Sequence, residues 1–83
     1  MPEVILYRQA PCASCTQVER FLRERGVPFT AKDIGADAEA MREFLELGYL
    51  TTPVTVIDGT AVPGFQPRRL ARLLDGVARR ADR

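Results

Sequence analysis

Val4-Ile5-Leu6-Tyr7-Arg8-Gln9-Ala10-Pro11-Cys12-Ala13-Ser14-Cys15 is the stretch that decides how this chain is read. Its first four residues form a short continuous apolar run, the pattern of a strand buried on both faces. A helix is expected from about Ser14 to Arg25, where Val18, Phe21 and Leu22 fall at i, i+3 and i+4 and make one apolar stripe. The chain's two cysteines therefore stand where a strand passes into a helix. Helical residues three apart have Cβ atoms about 5–6 Å from each other. A disulfide needs roughly 3.5–4.5 Å. A slightly tightened first turn lets the pair open and close with little backbone movement. Cys12 would also lie beside unpaired N–H groups at the helix start, which favour a thiolate. Strand, Cys-x-x-Cys and helix in that order read as a thiol–disulfide redox site. On spacing alone, half of a metal site and a static disulfide stay open beside that reading.

Composition narrows the choice. A chain of 83 residues has room for one small domain, taken as 1–83, which buries only roughly 60% of its unfolded surface. A hydrophobic content of 46% is too high for disorder. Twelve basic and eleven acidic residues leave a formal net charge of +1. That balance supplies no general pull toward nucleic acid or membrane, and neither is expected as a partner. Histidine is absent, so neither a Cys–His catalytic pair nor a mixed Cys/His zinc site can form. With two cysteines, a tetrahedral thiolate site would need a second chain. Met1-Pro2-Glu3 lacks a basic n-region and an apolar h-region, and no apolar run approaches the roughly 20 residues of a membrane span. The expected location is cytoplasmic. There a lone close-spaced cysteine pair is more often catalytic or metal-binding than a structural staple.

The rest of the chain alternates strand and helix signals. Gly26 and Pro28 end the first helix, and Phe29 to Ile34 reads as a second strand, joined to the first by a parallel crossover. Asp37 is a plausible N-cap for a second helix with Met41, Phe44 and Leu45 as its apolar stripe and Gly48 as its stop. Val54 to Ile57 and Thr60 to Pro63 flank Asp58-Gly59, a two-residue hairpin turn. Gly64-Phe65-Gln66-Pro67 opens a third helix, with Leu70, Leu73, Leu74 and Val77 facing the core. The Arg-rich end from Arg79 to Arg83 is expected to fray. The expected class is α/β: order βαβαββα, a four-stranded mixed sheet with three helices on both its faces.

This element order, with the cysteine pair at the first strand–helix junction and Thr52-Pro53 before the third strand, resembles the glutaredoxins, which have the thioredoxin fold. The resemblance covers nearly the whole chain. It implies that Cys12 is the nucleophile, Cys15 the resolving cysteine, and Thr52–Pro53 a cis peptide bond whose backbone pairs with substrate. It also implies that the redox-active disulfide is sufficient, with no cofactor and no metal. Within the family, glutathione-linked members typically carry Gly-Gly followed by an acidic pair that holds glutathione's amino group. This chain has Gly64-Phe65-Gln66-Pro67 and then Arg68-Arg69. The NrdH-redoxins, reduced by thioredoxin reductase, carry Gly-Phe-x-Pro there and Leu-Gly-Tyr-Leu-x-x-Pro before the third strand. Here those read Gly64-Phe65-Gln66-Pro67 and Leu47-Gly48-Tyr49-Leu50-Thr51-Thr52-Pro53.

The chain departs from that subgroup in places. The basic residue often found before the cysteines falls on Gln9, with Arg8 beside it. The subgroup's Trp is missing, and its Arg and Asp around the proline are Gln66 and Arg68.

The resemblance thus implies a monomeric dithiol oxidoreductase that reduces a disulfide-bearing protein, ribonucleotide reductase by analogy. Thioredoxin reductase is the implied donor and glutathione the alternative. Thr52, Pro53, Gly64, Phe65, Gln9 and Arg8 are the expected substrate-side contacts. The rival from another class is an iron–sulfur or zinc module shared by two chains. Tyr7 is read as strand packing and Asp33 as a strand-end charge rather than a proton relay. Phe65 reads as core or as an exposed contact. Arg68, Arg69 and Arg72 read as a solvated face or as a functional one.

Overall fold

The N-terminal apolar run forms β1 (Val4–Arg8), and its alternation builds two layers. Val4 and Leu6 enter one core cluster. Tyr7 enters the other, with Ile5 packed against it. This is the period-two geometry of a strand covered on both faces. The computed structural model describes residues 3–81, with side chains for residues 3–76.

The elements that follow are α1 (Ala13–Glu24), β2 (Thr30–Asp33), α2 (Ala38–Glu46), β3 (Val54–Ile57), β4 (Thr60–Pro63) and α3 (Pro67–Ala81). The expected order βαβαββα therefore stands. The sheet order is β2-β1-β3-β4. β2 pairs parallel to β1, with Tyr7 opposite Lys32 and Arg8 opposite Asp33. β3 pairs antiparallel to β1 and β4 antiparallel to β3. The sheet is mixed because α1 returns the chain for a parallel strand whereas a tight hairpin forces an antiparallel one. In that hairpin Asp58 and Gly59 both take positive φ, 46° and 87°, the backbone that a two-residue primed turn demands.

α1 and α3 cover one face through Val18, Leu22, Leu70 and Leu74, which meet Val4, Leu6, Ile57 and Val62. α2 covers the other through Ala40 and Phe44, against Tyr7, Ile34 and Val54. Phe44 is fully buried and lies in tilted contact with Tyr7. Truncating such a phenylalanine typically costs about 3–5 kcal/mol.

Several expectations need correction. α1 starts and ends one residue earlier than its pattern suggests, because Cys12 takes the N-cap and Arg25 the C-cap. β2 is shorter than Phe29–Ile34. Phe29 packs beneath the α1 side as a loop residue, and Ile34 lies past the strand although its N–H still donates to Arg8 O. Leu45 is not in the core: it is 51% exposed. The buried line of α2 runs through Ala40 and Phe44, and one further residue turns about 100° away from it. Tyr7 is core packing, as expected. Val77 and the segment Arg79 to Arg83 lie outside the residues whose side chains are described. The α3 backbone continues to Ala81.

Candidate active site

β1 ends at Arg8, and the chain crosses to α1 through Gln9, Ala10 and Pro11. Cys12 is the N-cap of α1, held in extended backbone (φ −156°, ψ 106°), and its sulfur accepts a hydrogen bond from the Cys15 N–H at 3.1 Å. Cys12 and Cys15 are joined by a disulfide, with Cα atoms 5.2 Å apart. The two sulfurs are not equivalent in access. Cys12 is half-buried, whereas Cys15 is buried entirely. A substrate can reach Cys12 from solvent, and Cys15 can be reached only through it.

The second wall comes from the loop before β3. Thr52 Oγ1 lies 3.9 Å from Cys12 Sγ, and Thr52 O lies 4.0 Å from it. These contacts are long, so they define proximity more than energy. The Thr52–Pro53 bond is cis, as the resemblance implies; Ala10–Pro11 is cis as well, which the sequence pattern does not signal. Among the described residues, neither main-chain group of Thr52 hydrogen-bonds to another main-chain group. Gln9, Ala10, Pro11, Cys12, Leu50, Thr51 and Thr52 line an open groove of about 510 Å³. No lining side chain is charged. The α1 first turn also carries no acid. Stabilisation of negative charge on the Cys12 sulfur therefore falls to the helix N-terminus and the Cys15 N–H.

The other expected residues divide. Pro53 is fully buried, and its carbonyl accepts from the Gly64 N–H at 2.8 Å. That bond brings the start of the β4–α3 loop against the cis-proline. Phe65 packs edge-on against Phe21 of α1, ring centroids 6.2 Å apart, and stays half-exposed. It is both a cover for the α1–α3 core and a surface. Gln66 is turned inward, its side-chain amide donating to Pro63 O. Arg8 does not line the groove. Its guanidinium lies between Glu19 of α1 (Nε to Oε1 3.0 Å) and Asp33 of β2 (Nη1 to Oδ2 3.3 Å). The first is an ion-pair contact without hydrogen-bond alignment, since Arg8 Nε has no hydrogen-bond acceptor. Asp33 is spent on Arg8 and on the Gly35 N–H, as a strand-end charge would be.

Leu50 enters the sequence reading only as part of a motif, yet it is 86% exposed on the groove wall. A leucine set between Gly48 and Thr51-Thr52-Pro53, in a stretch of turn-forming residues rather than in a helix or strand pattern, was the available signal.

A charged network lies on the α2 side of the sheet. Glu43 Oε1 accepts from Lys32 Nζ at 2.7 Å and from Tyr7 OH at 3.0 Å. Those bonds, from Lys32 first, lower the Glu43 carboxyl below its ordinary range. Glu43 raises Lys32 in turn. Burial, and then the Glu43 hydrogen bond, raises Tyr7. Among the described residues, no group of three or more His, Cys, Asp and Glu side chains is gathered as a metal site. None of their helices is long and apolar enough to cross a membrane.

The chain is similar to known proteins. The glutaredoxin family model matches residues 4–62. The Gene 56 protein of Mycobacterium phage D29 is 30% identical over 74 residues, 87% of this chain and 82% of that protein. The crystal structure of the thioredoxin-like protein BC3987 superposes with a TM-score of 0.82 at 35% identity, covering 86% of this chain and 99% of the other. NrdH-redoxin from Escherichia coli shares the fold, with a TM-score of 0.78 at 24% identity over 86% of this chain and 93% of its own. With its paired cysteines at the head of α1 and this match along most of its length, the chain belongs to the glutaredoxin family, a thiol–disulfide oxidoreductase of the thioredoxin fold.

Proposed function

We propose that this protein reduces protein disulfides through Cys12 and Cys15 and takes its electrons from thioredoxin reductase rather than from glutathione. In the first step the Cys12 thiolate attacks one sulfur of the substrate disulfide. A Cys12–substrate disulfide forms, and the other substrate sulfur leaves as a thiolate and takes up a proton. Cys15 then loses its proton and attacks Cys12 Sγ. The Cys12–Cys15 disulfide forms, the second substrate thiolate leaves, and two electrons have passed to the substrate. Burial of Cys15 suits the resolving role, because it meets only a partner already attached to Cys12.

The main-chain groups of Thr52, which pair with no other main-chain group among the described residues, suit pairing with an extended substrate segment laid along the groove, with Gln9 on its wall. Phe65 offers a partner protein an apolar patch beside Gly64. Arg8 serves the fold here, tying α1 to β2, and is not assigned a substrate contact. The acceptor disulfide suggested by the likeness to the NrdH-redoxins is that of ribonucleotide reductase. The Cys12–Cys15 pair acts without a bound cofactor, in a monomer, in the cytoplasm.

One observation carries the choice of donor: from Gly64 through the first turn of α3 there is no carboxylate. Glutathione presents an ammonium group as well as two carboxylates. A selective site would offer an acid to the ammonium, because charge-assisted hydrogen bonds are the stronger ones. Here the ammonium would meet Arg68 and Arg69. The test compares two NADPH-coupled assays on the oxidised protein, one with thioredoxin reductase and one with glutathione and glutathione reductase. Faster reduction by thioredoxin reductase is expected, and faster reduction by glutathione would reverse the assignment. The double variant Gln66→Asp, Pro67→Asp should gain glutathione activity if the missing acids are what limits it.

A further inference from the structure

Arg68, Arg69 and Arg72 lie on one face at the start of α3, since residues three and four apart are helical neighbours. All three are exposed, and with Gln66 and Pro67 they line an open pocket of about 450 Å³. Their charge has no use within the fold. Among the described residues, no carboxylate lies within ion-pair distance of any of them. Four other cations are matched, Arg8 with Glu19 and Asp33, Arg25 with Asp75, Lys32 with Glu43, and Arg42 with Glu39 and Glu46, whereas Arg20 and Arg23 of α1 also lack an ion-pair partner among the described residues; what sets the α3 arginines apart is that three of them line one pocket. The α3 first turn has no acid to offset the cluster. Like charges four apart on a helix oppose folding, and so do cations at its N-terminus. A cluster that costs the fold stability and makes no internal contact points to an anion outside the chain.

Its position limits what that anion belongs to. The Gly64 N–H bonds Pro53 O, and Thr52, next to Pro53, is on the wall of the Cys12 groove. The arginine pocket begins at Gln66, two residues beyond Gly64. Gly64 to Gln66 thus link Pro53, next to the Cys12 groove, to the start of the arginine pocket. A partner seated at Cys12 that extends past Pro53 along this link would come to the guanidinium groups. Guanidinium forks match carboxylates in two-point geometry. The residues lining the groove are uncharged, so charge-based selection has to come from outside it, and the α3 arginines are a cluster of one sign linked to it through Pro53 and Gly64.

We propose that Arg68, Arg69 and Arg72 form a carboxylate-binding rim that selects protein disulfides flanked by acidic residues. The proposal deepens the disulfide-reductase reading above and rests on it.

The test uses the full chain, reduced beforehand and freed of reductant. Three synthetic peptides carry the same intramolecular disulfide and differ only in flanks of Asp/Glu, Ser/Gly or Lys/Arg. Rates of reduction are measured at low and high salt, each divided by the rate with hydroxyethyl disulfide, which is small and uncharged. At low salt the acidic peptide should be reduced about tenfold faster than the basic one, at the lower end of electrostatic steering effects. The ratio should fall toward unity near ~1 M salt, where the screening length shrinks to about 3 Å. In Arg68→Glu, Arg72→Glu the order of acidic and basic peptides should reverse, and in Arg68→Lys, Arg72→Lys it should persist.

Equal rates for the three peptides would overturn the rim while leaving disulfide reduction intact. A wild-type order that survives the double glutamate change would overturn it too. If a short single-stranded DNA binds the arginines and the peptides are not sorted, the cluster is a phosphate site and the proposal fails. Failure to reduce any of the peptides would remove the reductase reading and the rim together.

Discussion

α1 and α2 both begin at a residue in extended backbone whose side chain accepts main-chain N–H groups. At α2 the residue is Asp37, whose Oδ1 takes the N–H groups of Glu39 and Ala40 at 2.9 and 3.3 Å. Glu39 adds a second negative charge to that first turn. The N-terminus of α2 is thereby saturated, and its field is spent on holding the helix. At α1 the residue is Cys12, whose sulfur takes one N–H, and no acid accompanies it. A neutral sulfur is a weak acceptor. The helix start remains under-compensated until the sulfur becomes a thiolate, which it then favours. One backbone device gives stability where its acceptor is permanently charged, and reactivity where the acceptor can gain or lose its charge.

The largest break in that comparison comes from Cys12→Ser. Serine is as good an N-cap as aspartate, so α1 should persist, but a hydroxyl does not attack disulfides. Protein-disulfide reduction should fall to the uncatalysed background while the circular dichroism spectrum, taken under reducing conditions, matches that of the parent. In Cys15→Ser the reaction should halt at the mixed disulfide, visible by mass spectrometry as substrate attached to Cys12. Substrate attached instead at Cys15 in the Cys12→Ser variant would reverse the roles.

A smaller effect should follow from giving α1 the acid that α2 has. Ala13 is exposed at the first position of α1. Ala13→Glu should strengthen the helix start and oppose the thiolate. Iodoacetamide labelling of Cys12 at mildly acidic pH should slow about threefold, the rate equivalent of the roughly 0.3–1 kcal/mol that a charge exchanges with a helix terminus. An unchanged labelling rate would mean that the helix start does not set the reactivity.

The converse change, Asp37→Ala, should destabilise the protein by about 1 kcal/mol, read as a fall of about 4–8 °C in melting temperature for a domain this small. The turnover of Cys12 should not change. A loss of activity without a loss of stability would show that the two helix starts are coupled.

The smallest effect concerns another carboxylate of α2, Glu43. Glu43 is lowered in the folded state by Lys32 and Tyr7. It therefore contributes stability above the ordinary carboxylate range, and loses it as pH falls through the lowered folded value. The stability difference between the parent and Glu43→Gln should be present at neutral pH and shrink in acid. A difference that grows on acidification would contradict the Lys32–Glu43–Tyr7 network.

The cysteine pair, the order of the elements, the hairpin at Asp58-Gly59 and the oxidoreductase class were legible in the sequence. Each depends on near neighbours: a spacing of three, an apolar period, or a turn that requires positive φ. The boundary of α1 and the exposure of Leu45 were misread by about one residue, because a period marks the apolar face of a helix but not the angle at which the helix meets the sheet. Arg8 looked like a site residue from its place before the cysteines. Only the packing of α1 and β2 around it revealed that Glu19 and Asp33 occupy its guanidinium. Leu50 and the unpaired arginines of α3 needed the same kind of information. Whether a side chain is free for a partner depends on what distant elements bring to it. That is decided when the cysteine loop that follows β1 is set against Thr52, a residue far along the chain from it.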